Sequence, residues 1–348
     1  MCDFRSFLLR VVTLSVISYA LVPALQASTV SFVYIESTSQ GSTFGVDQVQ
    51  SDGAGLTNLL LPQDTDQLGD SNLEEIEYDP VADQYYLFGG NSVWTLNRKG
   101  SSSATQIYNL YDDKMLSFPG GRGFAVDGAA GFAFFSTRQN NGLDFANLST
   151  VWSLSLDSRI STEIVPHTDL NYVWDVVIDP RNRQVYLSDI LNAETNSTQL
   201  QGRILRMNYD GSGLTTVISS TTNSGEIFTP YGLAIDPVTN TLYWGDGGAI
   251  PEGSNAYIGR YDITTGEILD PLLNTIVFPA YLDYDPVGED IYWLNQNLQR
   301  ITRVDVNNPQ NIPIVDGRPV LSLAFVPEPG AVTLLGLSSL FLFKRRRR

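Results

Sequence analysis

The chain has 348 residues, a formal net charge of −17, one histidine and one cysteine. Setting aside the net +1 of residues 1–27 and the net +5 of residues 330–348 leaves a body of −23, which excludes a nucleic-acid-binding face and leaves cations, neutral glycans and basic proteins as partners. The lone Cys2 precludes a disulfide or thiol nucleophile in the mature domain, and the lone His167 precludes chemistry that needs two imidazoles.

Residues 1–27 carry Arg5 and Arg10, then the apolar run Val11 to Leu25, then the small residues Ala24 and Ala27. This is the layout of a secretory signal peptide, with cleavage expected after Ala27 or Ala24, the former preferred. The run is short for a membrane span, which disfavours a plain anchor. Cys2 precedes the apolar segment and so is not a lipoprotein cysteine. Val30 to Ile35 is expected to be the first mature strand, with Tyr34-Ile35-Glu36-Ser37 at its aromatic motif.

A repeat follows. Leu233 to Asp246 contains two β-favouring runs separated by Asp236-Pro237, where proline removes a backbone donor and bends the chain. Asp79 precedes Tyr86, Asp127 precedes Phe134, Asp179 precedes Tyr186, Asp236 precedes Tyr243 and Asp285 precedes Tyr292, each by seven residues. The Asp anchors lie 48, 52, 57 and 49 residues apart, close to the period of a four-stranded propeller blade. Recurrence at turns marks these aspartates as hydrogen-bonded turn residues rather than catalytic acids. No stretch of the body has a sustained helical period, so few helices are expected.

Within a blade, a third strand such as Gly202 to Asn208 leads through an Asp210-Gly211 turn to Leu214 to Ile218. Gln139 to Asn147 and Asn192 to Gly202 are polar insertions, expected at blade-end loops. The first strand lacks an Asp-Pro strand before it, and Val320 to Val326, ending at Pro327, supplies one from the other end of the chain. The expected fold is therefore all-β, a six-bladed β-propeller over residues 28–326, closed by pairing the N-terminal strands with a C-terminal inner strand.

Tyr243-Trp244-Gly245-Asp246, Tyr186-Leu187-Ser188-Asp189 and Tyr292-Trp293-Leu294-Asn295 resemble the Tyr-Trp-Thr-Asp motif of low-density-lipoprotein-receptor class B repeats. In Tyr86-Leu87-Phe88-Gly89 and Phe134-Phe135-Ser136-Thr137 the final Asp is missing. The resemblance implies a six-bladed propeller and does not specify a partner.

Residues 327–348 form a second recognisable unit: Pro327-Glu328-Pro329, the apolar stretch Gly330 to Phe343, and the basic cluster Lys344, Arg345, Arg346, Arg347 and Arg348. As a helix, the 14 apolar residues would span about 21 Å, short of a hydrocarbon core of about 30 Å. The unit resembles the PEP-CTERM sorting signal of Gram-negative bacteria. That resemblance implies export, transient anchoring of the C-terminal apolar helix in the inner membrane, processing by an exosortase-type enzyme, and delivery to the cell surface or extracellular matrix.

Chemistry in a propeller concentrates where inner strands line the central channel. Four and two residues before the Asp anchors, Glu75, Glu77, Asp175 and Asp283 interrupt a small or apolar register and are candidate ligands for a hard cation such as calcium; solvated channel lining or bonding to amides is the competing reading. Asp64 to Asp70, with Glu75 in twelfth place, partly matches a calcium loop, although Leu68 occupies a ligand place. His167 reads as a loop residue, and no Gly-x-Ser-x-Gly, Walker or His-Glu-x-x-His motif occurs. The expected function is a non-catalytic surface module that binds a protein or polysaccharide. The alternative is a calcium-dependent hydrolase resembling the six-bladed lactonases, with Glu75 and Asp175 as ligands.

Overall fold

The structure, a computed structural model, describes residues 28–38, 41–61, 73–89, 92–100, 103–114, 122–139, 148–191, 201–220, 227–248, 255–295 and 297–327. The expected signal peptide, the sorting tail beyond Pro327, the Asp64 to Asp70 loop and most of both polar insertions lie outside these residues. Among the described residues no helix is long and apolar enough to cross a membrane.

Residues Thr29–Pro327 form one compact unit of six four-stranded antiparallel sheets. Blade 1 is β4 (Leu73–Asp79), β5 (Gln84–Gly89), β6 (Ser92–Asn97) and β7 (Thr105–Asn109), followed by the one-turn helix α1 (Leu110–Lys114). Blade 2 is β8 (Phe124–Asp127), β9 (Phe132–Gln139), β10 (Leu148–Ser155) and β11 (Ser161–Val165). Blade 3 is β12 (Tyr172–Asp179), β13 (Gln184–Leu191), β14 (Gln201–Asn208) and β15 (Thr215–Ser219). Blade 4 is β16 (Pro230–Asp236), β17 (Thr241–Asp246), β18 (Ala256–Asp262) and β19 (Glu267–Ile276). Blade 5 is β20 (Pro279–Asp285), β21 (Asp290–Asn295), β22 (Arg300–Asp305) and β23 (Ile312–Val315). Blade 6 joins the chain ends: β24 (Val320–Val326) pairs with β1 (Thr29–Thr38), which continues to β2 (Gly41–Gln50) and β3 (Thr57–Leu60). The ring closes as the sequence predicts, with β24 pairing along the edge of β1.

The repeated aspartates end the inner strands and cap the turns. A side-chain oxygen of Asp79 accepts the Val81 N–H at 2.8 Å, that of Asp127 the Ala130 N–H at 2.9 Å, and that of Asp179 the Arg181 N–H at 3.1 Å. Asp236 and Asp285 do the same for Val238 and Val287, at 2.7 and 2.8 Å. Four residues after each anchor the chain turns left-handed: Asp83, Gly131, Arg183, Asn240 and Glu289 have φ of 51°, 75°, 53°, 60° and 55°. One backbone geometry is thus imposed on five different side chains.

Second-strand aromatics build the core between blades. Tyr86, Phe134, Tyr186, Tyr243 and Tyr292 lie directly opposite Glu77, Ala125, Val177, Ala234 and Asp283, two residues before each anchor, and all five rings are buried. Buried clusters fill the junctions, such as Phe88, Phe124, Phe135 and Trp152 between blades 1 and 2, and Tyr186, Leu233, Leu242 and Trp244 between blades 3 and 4.

Blade 6 corrects one expectation. Ala324 pairs with Ser31 and Ser322 with Val33, so the aromatic-motif position belongs to Ser31-Phe32-Val33-Tyr34, three residues before the predicted Tyr34-Ile35-Glu36-Ser37. Ser31 replaces the usual ring with a hydrogen bond, its hydroxyl lying 2.8 Å from that of Tyr85 in blade 1.

Candidate functional site at the channel mouth

Each inner strand begins at the end of the ring opposite its Asp turn. In β4, β12, β16, β20 and β24 the ladder slips there, at Leu73/Glu75, Val173/Asp175, Pro230/Leu233, Ala280/Leu282 and Val320/Ser322. Such a bulge frees one side chain from the alternation of the strand and re-aims it. These slips decide which side chains reach the mouth of the channel.

Three of the four predicted acids act as staples between blades. Asp175 of blade 3 accepts its own neighbour's N–H, Val176, at 2.7 Å, and the Leu233 N–H of blade 4 at 2.7 Å. Asp283 of blade 5 accepts the Tyr284 N–H at 2.7 Å and the Phe325 N–H of blade 6 at 2.6 Å. Glu75 of blade 1 accepts the Gly123 N–H of blade 2 in a longer contact of 3.4 Å. Alternate junctions, 1 to 2, 3 to 4 and 5 to 6, therefore carry a carboxylate bonded to the next inner strand. Gly123 also lets blade 2 lie close against blade 3: its φ is +76°, and an added Cβ would fall 2.7 Å from the Val176 nitrogen. Glu77 accepts no hydrogen bond from the described residues.

Electrostatics ties the four acids together. Burial pushes Glu75 far up, with Asp175 and Glu77 adding repulsion. Burial likewise pushes Glu77 far up, helped by Asp283 and Asp175. Asp175 is raised to about 7 by burial, partly offset by the Leu233 and Val176 amides, and Asp283 to about 6, offset by those of Phe325 and Tyr284. Among the described residues, no three or more His, Cys, Asp or Glu side chains are grouped to hold a metal ion. Glu75 and Asp175, the ligands that the lactonase resemblance implies, are turned to the Gly123 and Leu233 amides.

Above the acids lies a cluster that the register five residues before the anchors supplies: Glu74, Arg122, Trp174 and Tyr231, from blades 1 to 4. The Arg122 guanidinium stacks 3.8 Å over the Trp174 ring and reaches Glu74 at 4.0 Å. Arg138, at the end of β9, lies 4.2 Å over Tyr172 and donates from Nη2 to its hydroxyl. Tyr172 and Trp174 pack at 5.7 Å between centroids, Trp174 meets Tyr231 edge-on at 4.5 Å, and Tyr231 meets Phe278 at 4.4 Å. Burial works against the Arg122 charge, but Tyr281, Tyr172, Glu74 and Glu75 outweigh it and raise the pKa. For Arg138 burial wins, reinforced by Arg122, and the pKa falls.

Three donors in this cluster, Arg122 Nη1, Arg138 Nε and Trp174 Nε1, are buried with no hydrogen-bond partner among the described residues. Trp174 and Tyr172 themselves remain half-buried. The two arginines and this aromatic group were absent from the sequence expectations, which followed only the positions four and two before the anchors. Reading one position further back would have shown large or charged residues in four consecutive blades. His167 sits, as expected, in a loop, the turn from Pro166 to Asp169 between blades 2 and 3.

No known protein family matches this chain by sequence. Among solved structures it is similar to a chain of a nidogen/laminin complex, at 12% identity with a TM-score of 0.63, covering 86% of this chain and 98% of that one. It is also similar to TolB from Acinetobacter baumannii, at 11% identity and a TM-score of 0.62, covering 91% of this chain and 71% of that one. A TolB protein from Agrobacterium tumefaciens aligns at 11% identity with a TM-score of 0.56, covering 88% and 96%. At these identities what is shared is the fold, and the chain is an all-β, six-bladed propeller.

Proposed function

We propose that this chain is an exported bacterial propeller, sorted by an exosortase-type enzyme through its Pro327-Glu328-Pro329 tail, that serves at the cell surface or in the matrix as a non-catalytic binding module for a protein or polysaccharide. The observation that carries the binding reading is the channel mouth, where blades 1 to 4 gather stacked guanidiniums and aromatic rings with three unpaired donors. Such side chains are suited to holding a ligand, and three of the four axial carboxylates are engaged by amides of the next blade, which supports the binding reading over the hydrolytic one.

Two measurements test the proposal. The mature chain should co-sediment saturably with envelope or matrix fractions of a Gram-negative host that makes exopolysaccharide, and the absence of retention on either would contradict the binding role. Replacing Pro327, Glu328 and Pro329 by alanine should leave an unprocessed, membrane-associated precursor. Unchanged processing and release would contradict the sorting role.

A further inference from the structure

The channel mouth is a local exception to the charge of the chain. Arg203, Arg300, Arg303 and Arg318 each lie within 4.0 Å of an aspartate. Arg138 has no carboxylate within that distance among the described residues, and Arg122 meets Glu74 only at its limit of 4.0 Å. Among the described residues, Glu74 is thus the one carboxylate within 4.0 Å of either rim guanidinium.

Stacking fixes how those guanidiniums present themselves. With one face on Trp174 or Tyr172, a guanidinium keeps in-plane N–H groups for a ligand, the geometry that pairs with a carboxylate, although Arg138 already gives Nη2 to the Tyr172 hydroxyl. Arg122 Nη1 and Arg138 Nε supply such donors, and Trp174 Nε1 adds a neutral one suited to a hydroxyl. A buried donor left without an acceptor costs stability, so three in one cluster need a reason. The Arg122 side chain retains 25% of its surface, and its flexible stem allows the buried edge to swing toward an incoming group.

Resting on the binding role proposed above, we infer that the ligand of this mouth is a carboxylate-bearing saccharide, a uronate unit of an acidic glycan, held by Arg122 and Arg138 through its carboxylate and by Trp174 through a hydroxyl. The neutral Trp174 Nε1 donor beside the two guanidiniums favours a sugar acid over an acidic peptide, because a sugar offers a hydroxyl to the indole N–H as well as a carboxylate to the guanidiniums. The negative body does not preclude this. Solvent-exposed charges more than about 8 Å away are largely screened at physiological ionic strength, so the local interaction is set by the two guanidiniums together with the Glu74 carboxylate and the buried Glu75 near Arg122.

The test titrates the full mature chain with tetragalacturonate by calorimetry and tryptophan fluorescence. Two comparison ligands are used: the methyl-esterified tetramer, which keeps the sugar and loses the charge, and a tetraglutamate peptide, which keeps the charge and loses the sugar. Saturable binding of the acid is expected, with affinity lowered about tenfold or more by Arg122→Gln or Arg138→Gln, a loss typical of one charge-assisted hydrogen bond. The fluorescence response should vanish in Trp174→Phe. Arg138→Lys, which keeps the charge but not the fork, separates a binding defect from misfolding and should bind more weakly while keeping a single cooperative thermal transition. Equal binding of acid and ester, tighter binding of tetraglutamate, or binding unaffected by either arginine change would overturn the inference. If no uronate binds while the chain still sediments with envelope or matrix, the inference fails and the binding role stands; if neither occurs, both fail.

Discussion

Asp175 holds amides of two blades at once; burial between the blades raises its pKa, and the two amides offset part of that rise. Removing its side chain leaves the buried Leu233 N–H without an acceptor, so Asp175→Ala should destabilise the fold by about 1–3 kcal/mol, read from the shift of the urea unfolding midpoint. The same residues set a pH dependence. Folding raises Asp175 from 3.8 to about 7 and Asp283 from 3.8 to about 6, so between these values the folded chain binds more protons than the unfolded one. Their contribution is fully present below about pH 4 and is lost as pH rises through 6 to 7. Glu75 and Glu77, raised by burial and by repulsion from neighbouring acids, act in the same direction. The thermal midpoint should therefore be higher at pH 5 than at pH 8, and the double change Asp175→Asn with Asp283→Asn should flatten the profile. A wild-type midpoint that climbs across this range would contradict the account. These acids were visible in the sequence as breaks in a small-residue register, but their bonding was not, because their partners are amides 42 to 58 residues away on another blade.

Turns and inner strands were the most legible elements, since Asp followed by an aromatic seven residues later is a local pattern. What the pattern hides is the left-handed residue four positions after the Asp, where Asp83, Arg183, Asn240 and Glu289 share a conformation without sharing chemistry. Gly131 fills that place in blade 2, and an added Cβ there would meet only the Asp157 carboxylate, at 3.9 Å. Gly131→Ala should thus cost about 1 kcal/mol through backbone strain alone, whereas Gly131→Asn, imitating Asn240, should cost less. Equal losses in thermal or urea unfolding would argue that packing rather than φ governs the position. Blade 6 was misaligned by three residues for a related reason. Tyr34 is the one tyrosine near the start of the described residues, but pairing with β24 sets the register and puts Ser31 at the aromatic place. Long-range pairing decided what local composition could not.

For the whole molecule, the ring is a closed chain of junctions, and its last link is β24 on β1. Deleting residues 320–327 removes an inner strand and exposes the edge of β1, so the chain should lose its sharp thermal transition and associate with itself, as followed by scanning calorimetry and light scattering. An unchanged, monomeric melt would show that closure is dispensable. Treating the intact chain with a strong chelator should leave its melting temperature within error, since the axial acids are satisfied by amides and by protons; a drop of several degrees would assign them a cation. Net charge, the bluntest property of the sequence, pointed away from an anionic ligand. It could not reveal that folding brings Arg122 and Arg138, sixteen residues apart in the chain, onto adjoining rings at one end of the ring.

The binding face proposed for this chain is the channel mouth at this end of the propeller. Its most direct test is quantitative co-sedimentation of the mature chain with envelope and matrix fractions, comparing wild type, the double variant Arg122→Gln with Arg138→Gln, and a control at Arg300, which pairs with Asp316 on blade 5. The account predicts saturable retention of wild type and Arg300→Gln, with loss confined to the mouth variant. Retention of all three alike, or loss with Arg300→Gln alone, would place the binding face elsewhere and contradict it.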